Sequence, residues 1–378
     1  MSLPQKQSEI KRSQPSSKRK QRLLGIDLCR GIAAYAVVQV HSGDETWGSV
    51  EPSAFLFRSL FYFAVPFFLA GSFLFSTRKA SDSTSWSFWK SKIERILIPY
   101  LIWSILYLII RSAFFTLTHE SARIQSLFQD PLSLVFFGGA SYQLYFLPLL
   151  FTGTFLILLA HYLEKRKIGI KGLIILAVSS IFIGQILAIY GNNFKLGPNV
   201  AFVSLVELIA PDANQNNLIR LILVQISWLI WCLPYVILSM ILNRWLNKAD
   251  RLNLFNAFTS IIFLGLFLII DVFRNYIPSF SSILLAYLFL LTGISISKYL
   301  KDNKFIENVG ACSFGIYLIH PIVMNLVKPF VHKLLPTSLV QVSIPSMLAF
   351  CIPTFFISWA LVSLIKREKR ISLYLFGE

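Results

Sequence analysis

Apolar residues along the chain fall into ten runs, each of a length that suits a bilayer-crossing helix, which takes about 20 mostly apolar residues. The first is 23–42, LLGIDLCRGIAAYAVVQVHS. The others lie near 54–76, 94–114, 142–162, 171–190, 218–242, 254–273, 281–298, 309–327 and 340–365. This pattern predicts an all-α polytopic membrane bundle. Pro66, Pro148 and Pro234 fall inside runs, and a helix bundle in lipid tolerates them because neighbouring groups re-satisfy the freed backbone.

The first run differs from an anchor, since it carries Asp27, Arg30 and His41. An ionisable group at membrane depth costs roughly 2.5 to 3.5 kcal/mol on insertion scales, so it turns toward a bundle interior or a watery cavity. Arg30 and His41 are eleven positions apart, which brings them within about 20° of one helical face and about 16 Å apart along the axis. One stripe thus holds a fixed cation near one end and an imidazole near the other. Asp27 lies one turn before Arg30 and is positioned to pair with it.

Charge supports the count and sets the direction. With residues 1–20 inside, 26 of the 35 Lys and Arg fall in inner segments, eight in outer ones, and Arg30 within the first span. Every inner segment is richer than its outer neighbours, as the positive-inside rule requires. Both ends of the chain are therefore expected in the cytoplasm. The domain expectation is a disordered basic tail over 1–20, a transmembrane domain over 21–366 and a short cytoplasmic tail over 367–378. The first run is too long and too interrupted for a cleaved signal peptide.

Composition agrees: 55% of the 378 residues are hydrophobic and 14% charged, with a mean hydropathy of +0.65. The formal charge of +17 follows from orientation and needs no nucleic acid partner. Cys29, Cys232, Cys312 and Cys351 lie singly in apolar runs, without the spacing of a disulfide framework or a metal site. Two outer loops are long, 115–141 and 191–217, the second holding Lys195, Glu207 and Asp212 around an apolar stretch, 200–210, too short to span. No internal repeat of the transporter kind is evident.

Five segments in order resemble the acyltransferase 3 membrane family: GIDLCRGIAAYAVVQVH with its Arg, ten residues, His spacing; FAVPFFLAGSFLF at 63–75; KIERILIPYLIW at 92–103; YQLYFLPLL at 142–150; and CSFGIYLIHP at 312–321. The resemblance covers about residues 20 to 365. It implies transfer of an acyl group, most often acetyl, from cytosolic acyl-CoA to a hydroxyl of an extracytoplasmic glycan, lipid-linked sugar or small molecule, by an enzyme of the cytoplasmic membrane. Acyl-CoA would be a donor substrate, with no permanently bound cofactor. The family's essential pair maps onto Arg30 and His41. Departures are Ala70 for the usual Ser, Lys92 for the first Arg of its motif, Tyr145 for Trp, and Tyr62 where an Arg is frequent. No hydrolase-like domain is expected after the last span.

The residues can serve that chemistry. Acyl transfer to an alcohol needs a base near neutral pKa, and His41 at the outer end of its helix fits. Asp44 and Glu45 are candidate orienting carboxylates for its ring. Arg30 suits phosphate or pantetheine oxygens, and Lys92, Arg95 and Tyr100 stand where the phosphates of acyl-CoA would arrive. His320 and Tyr317, deep in the ninth run, are candidates to line an acyl tunnel, or else His320 is a core histidine bonded to a carbonyl. His119, His161 and His332 sit at loops or span ends and carry no assigned role. No GxSxG nucleophile is present, which favours direct transfer. The rival reading is a transporter or flippase of a lipid-linked sugar, since buried charge and broken helices also mark substrate pathways; a glycan polymerase or ligase is a third.

Overall fold

The computed structural model describes residues 23–43, 48–190, 216–247, 255–277, 280–336 and 340–378. The polar tail, Asp44, Glu45 and nearly all of the 191–217 loop lie outside them. The described residues form an all-α bundle. Its helices are α1 Leu24–His41, α2 Pro52–Ser59, α3 Ala64–Thr77, α4 Trp86–Lys92, α5 Ile98–Leu117, α6 Ser121–Leu127, α7 Phe146–Thr154, α8 Leu156–Lys165, α9 Ile170–Tyr190, α10 Asn217–Leu246, α11 Ala257–Val272, α12 Ser281–Ile296, α13 Lys304–Leu334, α14 Ile344–Ile365 and α15 Lys369–Phe376. Two-residue strands β1, Ser49–Val50, and β2, Gln341–Val342, pair in parallel and clasp the chain beyond α1 to the entry of α14.

Six helical segments are long and apolar enough to cross a membrane: Pro52–Thr77, Trp86–Leu117, Phe146–Lys165, Asn217–Leu246, Lys304–Leu334 and Ile344–Ile365. Three shorter apolar helices and α1 occupy the remaining expected places. The protein is multi-pass. Polar side chains start several helices. Asn303 accepts the amides of Phe305 and Ile306 at the head of α13, Asn216 does the same for α10, and Ser343 with Ser346 forms a capping box at α14, each satisfying amides that have no partner within the helix.

Burial separates a centre from a periphery. Helix α11 presents exposed Phe258, Ile261 and Ile269, an apolar surface that belongs against lipid. In α1 the one large apolar side chain left exposed is Ile32. That helix is enclosed by α3, α12, α13 and α14. Small residues let the backbones approach: a Cβ added at Gly25 would lie 2.0 Å from the Gly293 carbonyl oxygen, and one at Gly310 would lie 2.5 Å from Asp27 Cβ and 2.7 Å from Asp27 Cα. In lipid, helix association depends on such close packing because there is little hydrophobic drive between apolar surfaces. The Gly25 amide also donates to Ser297 Oγ at 2.9 Å.

Residues 369–376 form α15, which docks on the bundle with Phe376 buried and Trp103 Nε1 donating to the Leu375 carbonyl at 2.8 Å, so much of the 367–378 tail is part of the folded body. The helix amphipathicity that causes this is too short to register as a core element. Before α5, residues Ile93–Leu97 form a π-helical turn, the kind of local widening that accompanies a proline such as Pro99.

The α1 packing yields a prediction. Gly310→Ala forces a methyl into the Asp27 backbone and should lower stability by about 1 to 3 kcal/mol. Gly265→Ala on the peripheral helix α11, where nothing lies within 4 Å of the new Cβ, should be neutral or stabilising by helix propensity. Thermal unfolding of the detergent-solubilised variants checks both, and equal effects would contradict the close packing.

Candidate active site

His41 ends α1 and turns into the bundle. Its ring lies 4.3 Å from the Tyr142 ring, centroid to centroid, at 40°, and 5.4 Å from the His320 ring at 24°. Tyr142 and His320 are 6.3 Å apart. Three rings from the end of α1, the segment before α7 and the middle of α13 thus form one cluster.

Each member is held in place. Gly138, in the left-handed conformation at φ 79°, turns the chain so tightly that a Cβ there would lie 2.3 Å from the Tyr145 amide nitrogen. Arg111 Nη1 donates to the Ala140 carbonyl at 2.9 Å, and Ser141 Oγ donates to Gln143 Oε1 at 2.6 Å. The segment carrying Tyr142 is therefore fixed from several sides. On α13 the Tyr317 hydroxyl donates to the Gln143 carbonyl, and Tyr107 from α5 donates to the Leu318 carbonyl at 2.7 Å. His320 is fully buried, with Nδ1 2.8 Å from the Tyr317 carbonyl oxygen. A carbonyl only accepts, so Nδ1 carries the proton and Nε2 the lone pair.

Arg58 of α2 is also buried, and its Nη1 donates to the Gly43 carbonyl at 2.5 Å. Its guanidinium is thereby held against the turn two residues beyond His41. By sequence this arginine belongs to an outer segment, four residues before Tyr62. The site accordingly has a cation near the imidazole that the spacing of motifs did not reveal.

At the other end of α1, Asp27 is buried and its Oδ1 lies 3.8 Å from Arg30 Nη1, whose side chain is partly exposed. Arg30, Lys366 and Glu378 all lie near enough to Cys312 for their charges to be felt there, and Lys366 Nζ bonds both the Ala311 carbonyl and Glu378. Lys92 donates to Ser76 Oγ at 2.7 Å and feels the charges of Arg95 and Lys79. Arg95 has an exposed side chain, and its backbone supports Gly377, whose Cβ would lie 2.5 Å from Arg95 Cα. The cationic residues expected near one mouth are thus brought to a common end, beneath α15.

Two expected site residues have their hydroxyls engaged by backbone groups. The Tyr100 hydroxyl lies 3.1 Å from the Leu134 carbonyl and 2.9 Å from that of Val135, and it accepts the Gly138 amide at 3.1 Å, which makes it a brace for the 133–138 turn. The Tyr317 hydroxyl points to Gln143, so what His320 receives from Tyr317 is its backbone carbonyl. Both Tyr317 and His320 are buried, and His320 takes the second of its two expected roles, a core histidine bonded to a carbonyl. A hollow of about 810 Å³ opens beside Gly48, Val50, Pro52, Phe55 and Leu56; among the described residues none of the expected site residues lines it, and the ring cluster defines the site better. Among the described residues no His, Cys, Asp and Glu group capable of holding a metal is present.

This chain belongs to the acyltransferase 3 family: the family model described as an acyltransferase domain matches residues 23–363. It is therefore a membrane protein of an acyl-transferring family. No curated protein and no solved structure matches the chain significantly.

The Tyr100 geometry makes a prediction. Tyr100→Phe removes the hydroxyl shared by the 133–138 turn and should cost about 1 to 2 kcal/mol, read as a lower melting temperature, with acetyl-CoA affinity unchanged. A selective loss of acetyl-CoA affinity at constant stability would return this side chain to the donor site.

Proposed function

We propose that the protein is an O-acyltransferase of the cytoplasmic membrane that moves an acyl group, most simply acetyl, from acyl-CoA to a hydroxyl of an extracytoplasmic glycan or lipid-linked sugar. The observation that carries this reading is the inward turn of His41 against Tyr142 and His320, on the same helix that presents Arg30 to the cation-rich end. His41 is the general base. As the acceptor oxygen attacks the thioester carbon, its proton passes to the imidazole. The C–S bond then breaks and the thiolate takes that proton, leaving the ester and CoA.

The cation at the His41 end, Arg58, is suited to oppose the negative charge that develops on the thioester oxygen. At the other end Arg30, with Asp27 beside it, and Arg95, with Lys92 behind it, supply positive charge for the CoA phosphates. Arg95 is the exposed member and the one a ligand reaches first. Binding therefore spans the length of α1, and the chemistry falls where the rings meet. Family membership supports acyl transfer as the reaction class, and the absence of a GxSxG motif favours direct transfer.

His41→Ala should lower the rate of acyl transfer by about 10² to 10⁴-fold, the range of a lost general base, in a protein that still melts normally. Arg30→Ala should raise the apparent KM for acetyl-CoA more than it lowers the limiting rate. The assay is CoA thiol release from acetyl-CoA by the purified protein with the envelope fraction of cells lacking it as acceptor. Wild-type rate from a folded His41→Ala protein would refute the assignment.

A further inference from the structure

His320 precedes Pro321 inside α13, and the pair has a structural consequence. Proline has no amide hydrogen, so the carbonyl four residues before it loses its helical donor. That carbonyl belongs to Tyr317, and it is the one His320 Nδ1 meets at 2.8 Å. The proline frees an acceptor, and the neighbouring imidazole takes it. This fixes the tautomer, leaving the Nε2 lone pair unprotonated. Nε2 is buried and has no hydrogen-bond partner among the described residues, a costly state for a polar atom. The ring beside it is His41.

We propose that His320 is the positioning residue for His41, completing a His41, His320, Tyr317-carbonyl series that rests on the His41 assignment above. The rings now lie nearly parallel at 5.4 Å. In the proposed series the His41 imidazole turns about its Cβ–Cγ bond, a soft torsion, and donates one of its N–H groups to His320 Nε2. The other nitrogen of His41 then faces the acceptor hydroxyl with its lone pair. The logic is that of a triad in which a third group orients the base, with a backbone carbonyl in the place of a carboxylate. The acceptor O–H breaks and its proton joins His41, the C–O bond forms and the C–S bond breaks, and the thiolate takes the proton from His41. His320 keeps its own proton throughout and accepts the His41 N–H more strongly while that ring is an imidazolium.

Pro321 gives the proposal its test. Pro321→Ala restores the amide that competes for the Tyr317 carbonyl and suits a helix better than proline, so it should raise or maintain the melting temperature while lowering the limiting rate roughly tenfold. His320→Leu should lower that rate about 10²-fold with the apparent KM for acetyl-CoA unchanged. His320→Gln, whose amide oxygen can accept from His41, should recover most of the loss. The assay is thiol release from acetyl-CoA with the same envelope fraction, alongside His41→Ala. Should His320→Leu not fold, the Gln and Pro321→Ala variants still decide. Limiting rates within twofold of wild type in folded His320→Leu or in Pro321→Ala, with His41→Ala inactive, would overturn the positioning role alone. An active His41→Ala would remove the base assignment on which it rests.

Discussion

The arrangement depends on how closely α1 can approach α12 and α13. A helix carrying Asp27, Arg30 and His41 is poorly suited to lipid, and it is kept at the centre of the bundle because Gly25 and Gly310 leave no side chain between backbones. Packing and polar satisfaction act together there. Buried Asp27 sits against Gly310 with Arg30 one turn on, and the Gly25 amide is bound by Ser297. Once α1 is fixed, the position of its far end follows, and His41 meets α13 and the segment before α7.

The two ends of that helix are built differently. At the Arg30 end the groups are charged: Asp27 beside Arg30, Lys366 paired with Glu378, and Lys92 near Arg95 and Lys79. Around His41 they are rings and backbone carbonyls, with Arg58 as the added charge. Such a division suits a ligand with a polyanionic head and a small reactive tip. Prolines contribute in two ways. Pro99 follows a π-helical turn at the charged end, and Pro321 leaves a carbonyl that orients a histidine at the other.

Much of the fold was legible because hydrophobicity is a local property. The ten runs and the family resemblance could be read directly. The stripe of Arg30 and His41 was legible from helical periodicity. The partners of His41 were not, since Tyr142 lies about a hundred residues away and meets it only when the turn at Gly138 and the packing of α13 are both set. Arg58 was hidden because a charge count treats an arginine alike whether it faces water or a buried carbonyl. The Tyr100 hydroxyl braces a turn, a use no spacing announces. The docking of α15 rests on Phe376 and Trp103, two residues far apart in the chain.

The claim beneath all of this is that the ionisable stripe of α1 faces protein. Nitroxide labels placed singly at positions 32 and 41 in lipid nanodiscs test it through their accessibility to dissolved oxygen, which concentrates in the bilayer. Position 32, the exposed apolar side chain of this helix at 43%, should show high oxygen accessibility and free motion, and position 41 should be immobilised and shielded. The reverse pattern, with position 41 mobile and lipid-exposed, would contradict the account.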